Sequence, residues 1–398
     1  MLSPEPLFRR LATTMLFLLP ATATAQDRPW YERVRFAGDF RLRSESFFQE
    51  GSPDRSRLRI RLRAGFTAPL SDHLTVGFRL ATGNPGNVNS RNATLGEGFA
   101  LKTFRIDRAY VAWSPSDHFE ISGGKIGLPL WRPEALLQSE MLFDEEVTPE
   151  GLHERVTLIS SEEGTLRRLS VQGEQWVLRE VSGGEDSWLV GGQAVLELGL
   201  ASRATLELAG GYYEYLNGRE LAQARNGNSE LIVSNSVITE SGALVTGGFP
   251  LTPSASDPFD RFVSDFRLVH ASGGLQVAGV LGRGFAAWVD WIHNNGASQD
   301  NDALWVGTSL GEPSGPGDWG IALAWARTEQ ESVLSFLSYS DFGLGGTNVE
   351  GPIIAASWRP LRPLVLELTD HIVTPARAVP GRNSNTLHRL QVDARVSF

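Results

Sequence analysis

The stretch "DRSRLRIRLRAGF" (54–66) carries arginine at 55, 57, 59, 61 and 63, with Leu58, Ile60 and Leu62 between them. On a helix a spacing of two scatters the five guanidinium groups around the axis. On a strand it gathers them on one face and leaves an apolar row on the other. Same-face neighbours on a strand stand about 6.8 Å apart, so adjacent arginines repel by roughly 0.6 kcal/mol in bulk water and about four times that at an effective dielectric of 20. Such a face needs water or acidic partners, and the opposite face needs an apolar medium.

The same alternation runs through the chain. In "VRFAGDFRLRSE", Val34, Phe36, Phe40 and Leu42 point one way and Arg35, Asp39, Arg41 and Arg43 the other. After the turn signal "APLSDH", Leu74, Val76, Phe78 and Leu80 alternate with Thr75, Gly77, Arg79 and Ala81. Further strands are expected near 103–114, 119–125, 153–160, 166–178, 188–198, 204–215, 263–279, 285–293, 303–310, 319–327, 351–358, 364–373 and 387–398, which brings the count to sixteen. Short connections such as "SPSDH", "SEEG", "LASR", "LGRG" and "RPLRP" alternate with longer ones. That is the sequence form of an all-β, antiparallel up-and-down transmembrane barrel with short periplasmic turns and longer extracellular loops. Trp113, Trp188, Trp291, Trp319 and Trp358 sit near strand ends, as an interfacial girdle requires. A barrel of sixteen strands leaves an aqueous channel.

Residues 1–25 combine Arg9 and Arg10, the apolar run 11–20 and the small-residue stretch "ATATA", and read as a secretory signal; residues 26–398 then form the barrel. Removing one Glu and two Arg moves the formal charge from −10 to −11, which argues against a nucleic-acid partner despite the arginine row. There is no cysteine, so disulfide frameworks and thiolate metal sites are excluded. The mature chain has no apolar run long enough for a transmembrane helix.

The third long connection, "IGLPLWRPEALLQSEMLFDEEVTPEG" (126–151), carries Glu134, Glu140, Asp144, Glu145 and Glu146 and is a candidate constriction loop. The candidate lining opposite it is Arg35, Arg41, Arg43, Arg55, Arg57, Arg59, Arg61, Arg63 and Arg79. Loops 84–101, 216–262 and 328–350, rich in Asn, Ser and Gly, are expected to form the cell-exterior rim.

"GDFRLRSE", "RSRLRIRLRAGF", "VGFRLATGNPG", "IDRAYVAWSP", "GGKIGLPLW", "LFDEEVTPEG" and "YSDFGLGGTNVEG" resemble the Gram-negative family called Putative porin, from about residue 34 to the C-terminus. The resemblance implies a sixteen-stranded general-porin-like barrel of the outer membrane, through which small hydrophilic solutes or ions diffuse passively; the arginine row, nearly cancelled by the acidic loop, adds the expectation of a modest anion preference. It implies contact with outer-membrane lipid, Phe398 as the signal read by the barrel-insertion machinery, and a homotrimer; acidic residues of the long loops, including Glu329, Glu331 and Asp341, are expected to bind cations that bridge lipopolysaccharide. By analogy of position alone, the third loop of such a barrel folds inward and opposes acidic groups to arginines.

Two other readings stay open. "GTSLG" (307–311) matches the G-x-S-x-G nucleophile pattern, with His371 and His388 later in the chain, so a barrel hydrolase would use Ser309; the pattern lies where a strand enters a Gly/Pro turn, without the helix it requires. An exported β-sandwich that binds carbohydrate is the soluble alternative. The seven histidines are far apart and none has metal-ligand spacing, and the loop "DNDA" starting at Asp300 is a weak calcium pattern. No cofactor, metal or catalytic residue is expected in the channel reading.

Overall fold

The computed structural model describes residues 29–247 and 251–398; the expected secretory signal, 1–25, lies outside them. Sixteen antiparallel strands form one closed sheet: β1 (Arg35–Gln49), β2 (Arg55–Pro69), β3 (Leu74–Thr82), β4 (Phe104–Ser116), β5 (Phe119–Lys125), β6 (Glu150–Ser160), β7 (Leu166–Arg179), β8 (Ser187–Ala201), β9 (Ala204–Leu216), β10 (Arg267–Val280), β11 (Arg283–Asn294), β12 (Asp302–Gly311), β13 (Trp319–Thr328), β14 (Val349–Leu361), β15 (Leu364–Pro375) and β16 (Leu387–Ser397). Each strand pairs with its sequence neighbours, and β1 closes the ring by pairing with both β2 and β16. Closure removes the unpaired edge that an open sheet would present to lipid.

The period of two becomes two surfaces. Phe40, Leu42, Leu58, Ile106, Val156, Leu208, Ile321, Leu323, Ile354, Leu368 and Val392 remain exposed on the outside. An apolar belt of this extent is foreign to a water-soluble surface and suits hydrocarbon. Trp113, Trp291, Trp319 and Trp358 are also partly exposed near strand ends. Among the described residues no helix is long and apolar enough to cross a membrane, so the strands do the crossing.

The interior is not uniformly wet. Trp176, Leu189, Tyr213, Leu268, Ile292, Trp305 and Ile353 point inward from β7–β14 and form a core with Leu137, Met141, Leu142 and Phe143 of loop 126–149 and with Phe336, Leu337 and Phe342 of loop 329–348. Phe143 meets Trp176 and Tyr213 edge to face, with centroids 5.5 and 6.2 Å apart. Loop 217–266 adds helix α1 (Gly218–Gly227) and three short strands, and the loop's Leu221, Val233, Leu251 and Phe259 join the same core. On this side the barrel is filled much as a soluble domain is.

The long loops expected at the exterior rim also reach inward: loops 217–266 and 329–348 turn in over the lumen, and loop 83–103 buries Asn89, Ser90 and Asn92. Their runs of Ser and Asn are satisfied by one another. Asn235 donates to the carbonyls of Gln330 and Val333 and accepts from the Ser335 N–H, and Ser234 Oγ accepts from the Thr347 N–H. Glycine is required where the chain rejoins the sheet after two of these loops. Gly151, at the end of loop 126–149, has φ +149° and a Cβ there would lie 2.1 Å from the Gln175 carbonyl; Gly351, after loop 329–348, has φ +148° and a Cβ would lie 1.9 Å from that of Ile372.

Candidate functional site

The arginine row faces the lumen. The β1–β2 register sets Asp39 opposite Arg63, Arg41 opposite Arg61, Arg43 opposite Arg59, Glu45 opposite Arg57 and Phe47 opposite Arg55. On the other side of β1, β16 sets Asp393 opposite Arg43 and Arg389 opposite Phe47. Because alternate residues share a face, three consecutive strands present one charged wall.

Acidic groups interleave that wall at close range. Arg43 donates to both oxygens of Asp393 at 2.8 and 2.7 Å and to Asp341 at 2.6 Å. Arg61, fully buried, donates to Asp39 at 2.9 Å and to Glu146 at 2.5 Å, with Glu145 at 3.5 Å; Arg63 reaches the other oxygen of Asp39 at 2.6 Å. Glu45, also fully buried, accepts from Arg57, from Arg389 at 2.9 and 2.5 Å and from Gln391 at 3.1 Å. Arg41 donates to Asn92 at 2.8 Å and lies 3.6 Å from Glu146. A second cluster forms where Arg79 and Arg91 donate to Asp107 at 2.5 and 2.6 Å.

Seven guanidinium groups (41, 43, 57, 59, 61, 63 and 389) thus stand among six carboxylates (39, 45, 145, 146, 341 and 393). Only Glu145 and Glu146 come from the expected acidic loop. The near-neutrality comes as much from strands β1 and β16 and from loop 329–348.

Asp144 faces away from the arginines. Its oxygens accept from the Ser340 and Glu146 N–H groups at 2.8 Å each, and its own N–H donates to the Leu337 carbonyl at 2.8 Å, so it fastens the two inward loops together. Burial, reinforced by the Glu146 charge, pushes its carboxyl up to about 7. Burial alone would raise Glu146 too, but Arg61 and Arg41 hold it well below the usual carboxylate range. Glu140 accepts from the Glu145 N–H at 2.7 Å.

The remaining expected residues scatter. Arg35 lies exposed at the far end of β1; Arg55 sits at the outer end of β2, 5.9 Å from the Phe47 ring; Glu134 is exposed on loop 126–149. Glu45 and Arg389 were missed although they have the inward parity of their strands. Asp341 and Asn92 are loop residues with no local signal of where their side chains would go.

Two cavities flank the wall. One, of about 780 Å³, opens among the short turns at Arg203 and Pro313 and is lined by Arg41, Arg43, Glu140, Glu145 and Asp393. The other, of about 720 Å³, opens among the long loops at Pro53 and Asn84 and is lined by Arg55, Arg57, Arg59 and Arg389. Asn92, Ser340 and Asp341 line both, so the two meet where loops 83–103 and 329–348 approach β1.

Ser309 is part of the straight strand β12, and no helix follows it. His371 bonds the Tyr339 hydroxyl at 2.9 Å and His388 bonds Asp370 at 3.2 Å. The nucleophile pattern is thus without its structural context.

A closed, lipid-faced barrel of sixteen strands enclosing polar cavities at both ends is an outer-membrane channel. The chain belongs to the Putative porin family, whose sequence profile matches residues 48–241 and 287–368. Its fold is similar to that of OprB from Pseudomonas putida, with a TM-score of 0.58 at 12% identity over 92% of this chain and 94% of that one. It is similar also to OmpF from Salmonella typhi, with a TM-score of 0.51 at 10% identity over 92% and 97%. No curated protein matches it in sequence. The chain is an outer-membrane porin, as the strand pattern leads one to expect.

Proposed function

We propose that small hydrophilic solutes diffuse passively through this barrel, past a constriction between the β1–β2–β16 wall and the inward loops, with a modest preference for anions and no catalytic step. The observation that carries the reading is the meeting of the two cavities at Asn92, Ser340 and Asp341, beside Arg41 and Arg43. Seven cationic groups against six anionic ones leave a small positive excess, and its reach is about a Debye length, roughly 10 Å at 0.1 M salt. The family likeness supports a homotrimer, and the exposed aromatic terminus at Phe398 fits recognition by insertion machinery. Acidic loop residues facing the exterior are suited to cation-bridged contact with lipopolysaccharide.

Reversal potentials across a planar bilayer test this. Under a KCl gradient the channel should favour chloride slightly; Arg57→Ser should move the potential toward cation selectivity and Glu145→Gln toward anion selectivity. Both shifts should shrink as salt rises from about 0.1 to about 1 M, where the Debye length falls to roughly 3 Å. An inserted Arg57→Ser channel with unchanged selectivity at low salt would remove these residues from the conduction path.

A further inference from the structure

Arg59 is placed unlike its neighbours in the row. It is nine-tenths buried, yet among the described residues its side chain makes no hydrogen bond, and its Nε is enclosed without a partner. Its only carboxylate within 4 Å is Glu45, at 3.7 Å. Glu45 is engaged with other neighbours: Oε1 accepts from Arg389 twice and from Gln391, and Oε2, the oxygen nearest Arg59, accepts from Arg57. A guanidinium withdrawn from water with its N–H fork unmatched is a costly arrangement unless an oxyanion completes it. Arg59 lines the outer cavity.

The rest of that cavity narrows the ligand. Arg55 lies on its wall with no ion-pair partner among the described residues, so the cavity holds one unpaired guanidinium and, in Arg59, one paired only at long range. Around them stand the Phe47 ring, Pro53, Ile232, Leu344 and Leu387. The outer cavity sets Glu97, Glu230 and Asp341 against four arginines and Lys102, whereas nine acidic residues face five arginines in the inner cavity, a balance that disfavours an anion there. A strongly hydrated inorganic anion gains nothing from apolar walls, whereas a carboxylate on an apolar body satisfies both surfaces. We infer that the outer cavity is a binding site for small amphipathic organic carboxylates, with the carboxylate on Arg59 and the apolar body against Phe47 and its aliphatic neighbours. The site rests on the diffusion-channel reading and names the solute class that channel would concentrate at its outer end.

Single-channel recording in KCl tests it, with benzoate, acetate, inorganic phosphate and the neutral benzamide added in turn to the loop side. Benzoate should interrupt the current at a half-blocking concentration about tenfold below that of acetate, the gain expected from burying a ring. Phosphate and benzamide should be weaker than benzoate. Arg59→Gln should raise the benzoate value about tenfold, as loss of a charge-assisted pair does. Should that variant fail to insert, Arg55→Gln, at an exposed position, should still raise it. Equal block by acetate, phosphate and benzoate, or block unaltered in whichever variant inserts, would overturn the site while leaving the channel intact. Failure of the unaltered protein to conduct at all would instead overturn the channel reading and the site with it.

Discussion

With no exposed surface and donors from two arginines and a glutamine on its oxygens, Glu45 shows how a single side chain governs a whole row of like charges. Arg57 and Arg389 are held within bonding distance of each other's partner only because that partner is ionised. Replacing the carboxylate by an amide keeps the shape and removes the compensation. Truncating one side of a buried ion pair costs about 3–5 kcal/mol because the opposite charge is left unpaired. Glu45→Gln should therefore lower the temperature at which the folded barrel converts to its heat-modified electrophoretic form, while Arg55→Gln, exposed and without an acidic partner, should change stability by no more than about 0.5 kcal/mol. Equal melting of the two variants would mean that the row is stabilised by water and not by Glu45. Alternation read from sequence placed the arginines on the lumen side because parity is local. It could not show that their partners would be Glu45, Asp341 and Asp393, since those approaches depend on register with β16 and on the path of a loop nearly three hundred residues away.

Among elements, the strands were legible and the long loops were not. A strand announces itself by its own period, and β5 and β12, short as they are, keep it; a Ser- and Asn-rich loop has the same composition whether water or another loop satisfies it. Loops 217–266 and 329–348 satisfy each other, and the apolar residues dispersed in them, Val233, Leu251, Phe336 and Phe342, follow no period that would reveal their burial. At the seam between loops 126–149 and 329–348 burial raises both Glu140 and Asp144, and Asp144 is the one that bonds across to Ser340. Asp144 is moved from its ordinary 3.8 to about 7 by burial and by the neighbouring charges of Glu146 and Asp341, against the Ser340 and Glu146 N–H groups that favour its ionised form. Between those two values the unfolded chain has released the proton and the folded chain retains it. Stability contributed at this position is thus present at acid pH, falls as pH rises through the window and is gone above about 7. The thermal midpoint of the wild type should decline across this range relative to Asp144→Asn, whose uncharged amide cannot titrate. Parallel pH profiles for the two proteins would place the proton elsewhere.

At the scale of the molecule, the barrel divides its interior between two solvents. The apolar core lies on the β7–β14 side, and the two cavities lie along the charges of β1, β2 and β16, the inner one reaching across to the ends of β8–β12 near the short turns. That division explains why an acidic chain of middling hydrophobicity can carry both an apolar belt outside and a second apolar core inside. It also explains why strand count alone overstates the open lumen: sixteen strands set the circumference, but the inward loops fill part of the cross-section. The even count returns both chain ends to the side of the short turns, and the outer cavity lies among the long loops. With the N-terminus in the periplasm, the exposed tip at Ser241–Leu244, between two short strands of loop 217–266, must face the cell exterior, and the tight turn between Leu361 and Leu364 must not. An epitope inserted after Gly242 should be labelled by antibody on intact cells, whereas the same epitope in the Leu361–Leu364 turn should be reached only after the outer membrane is opened. Both insertions leave the strand register untouched, so each protein should still show heat-modifiable migration. Labelling of the Leu361–Leu364 turn on intact cells, in a barrel that migrates as folded, would place the arginine-lined outer cavity in the periplasm and reverse the direction in which solutes meet the two cavities.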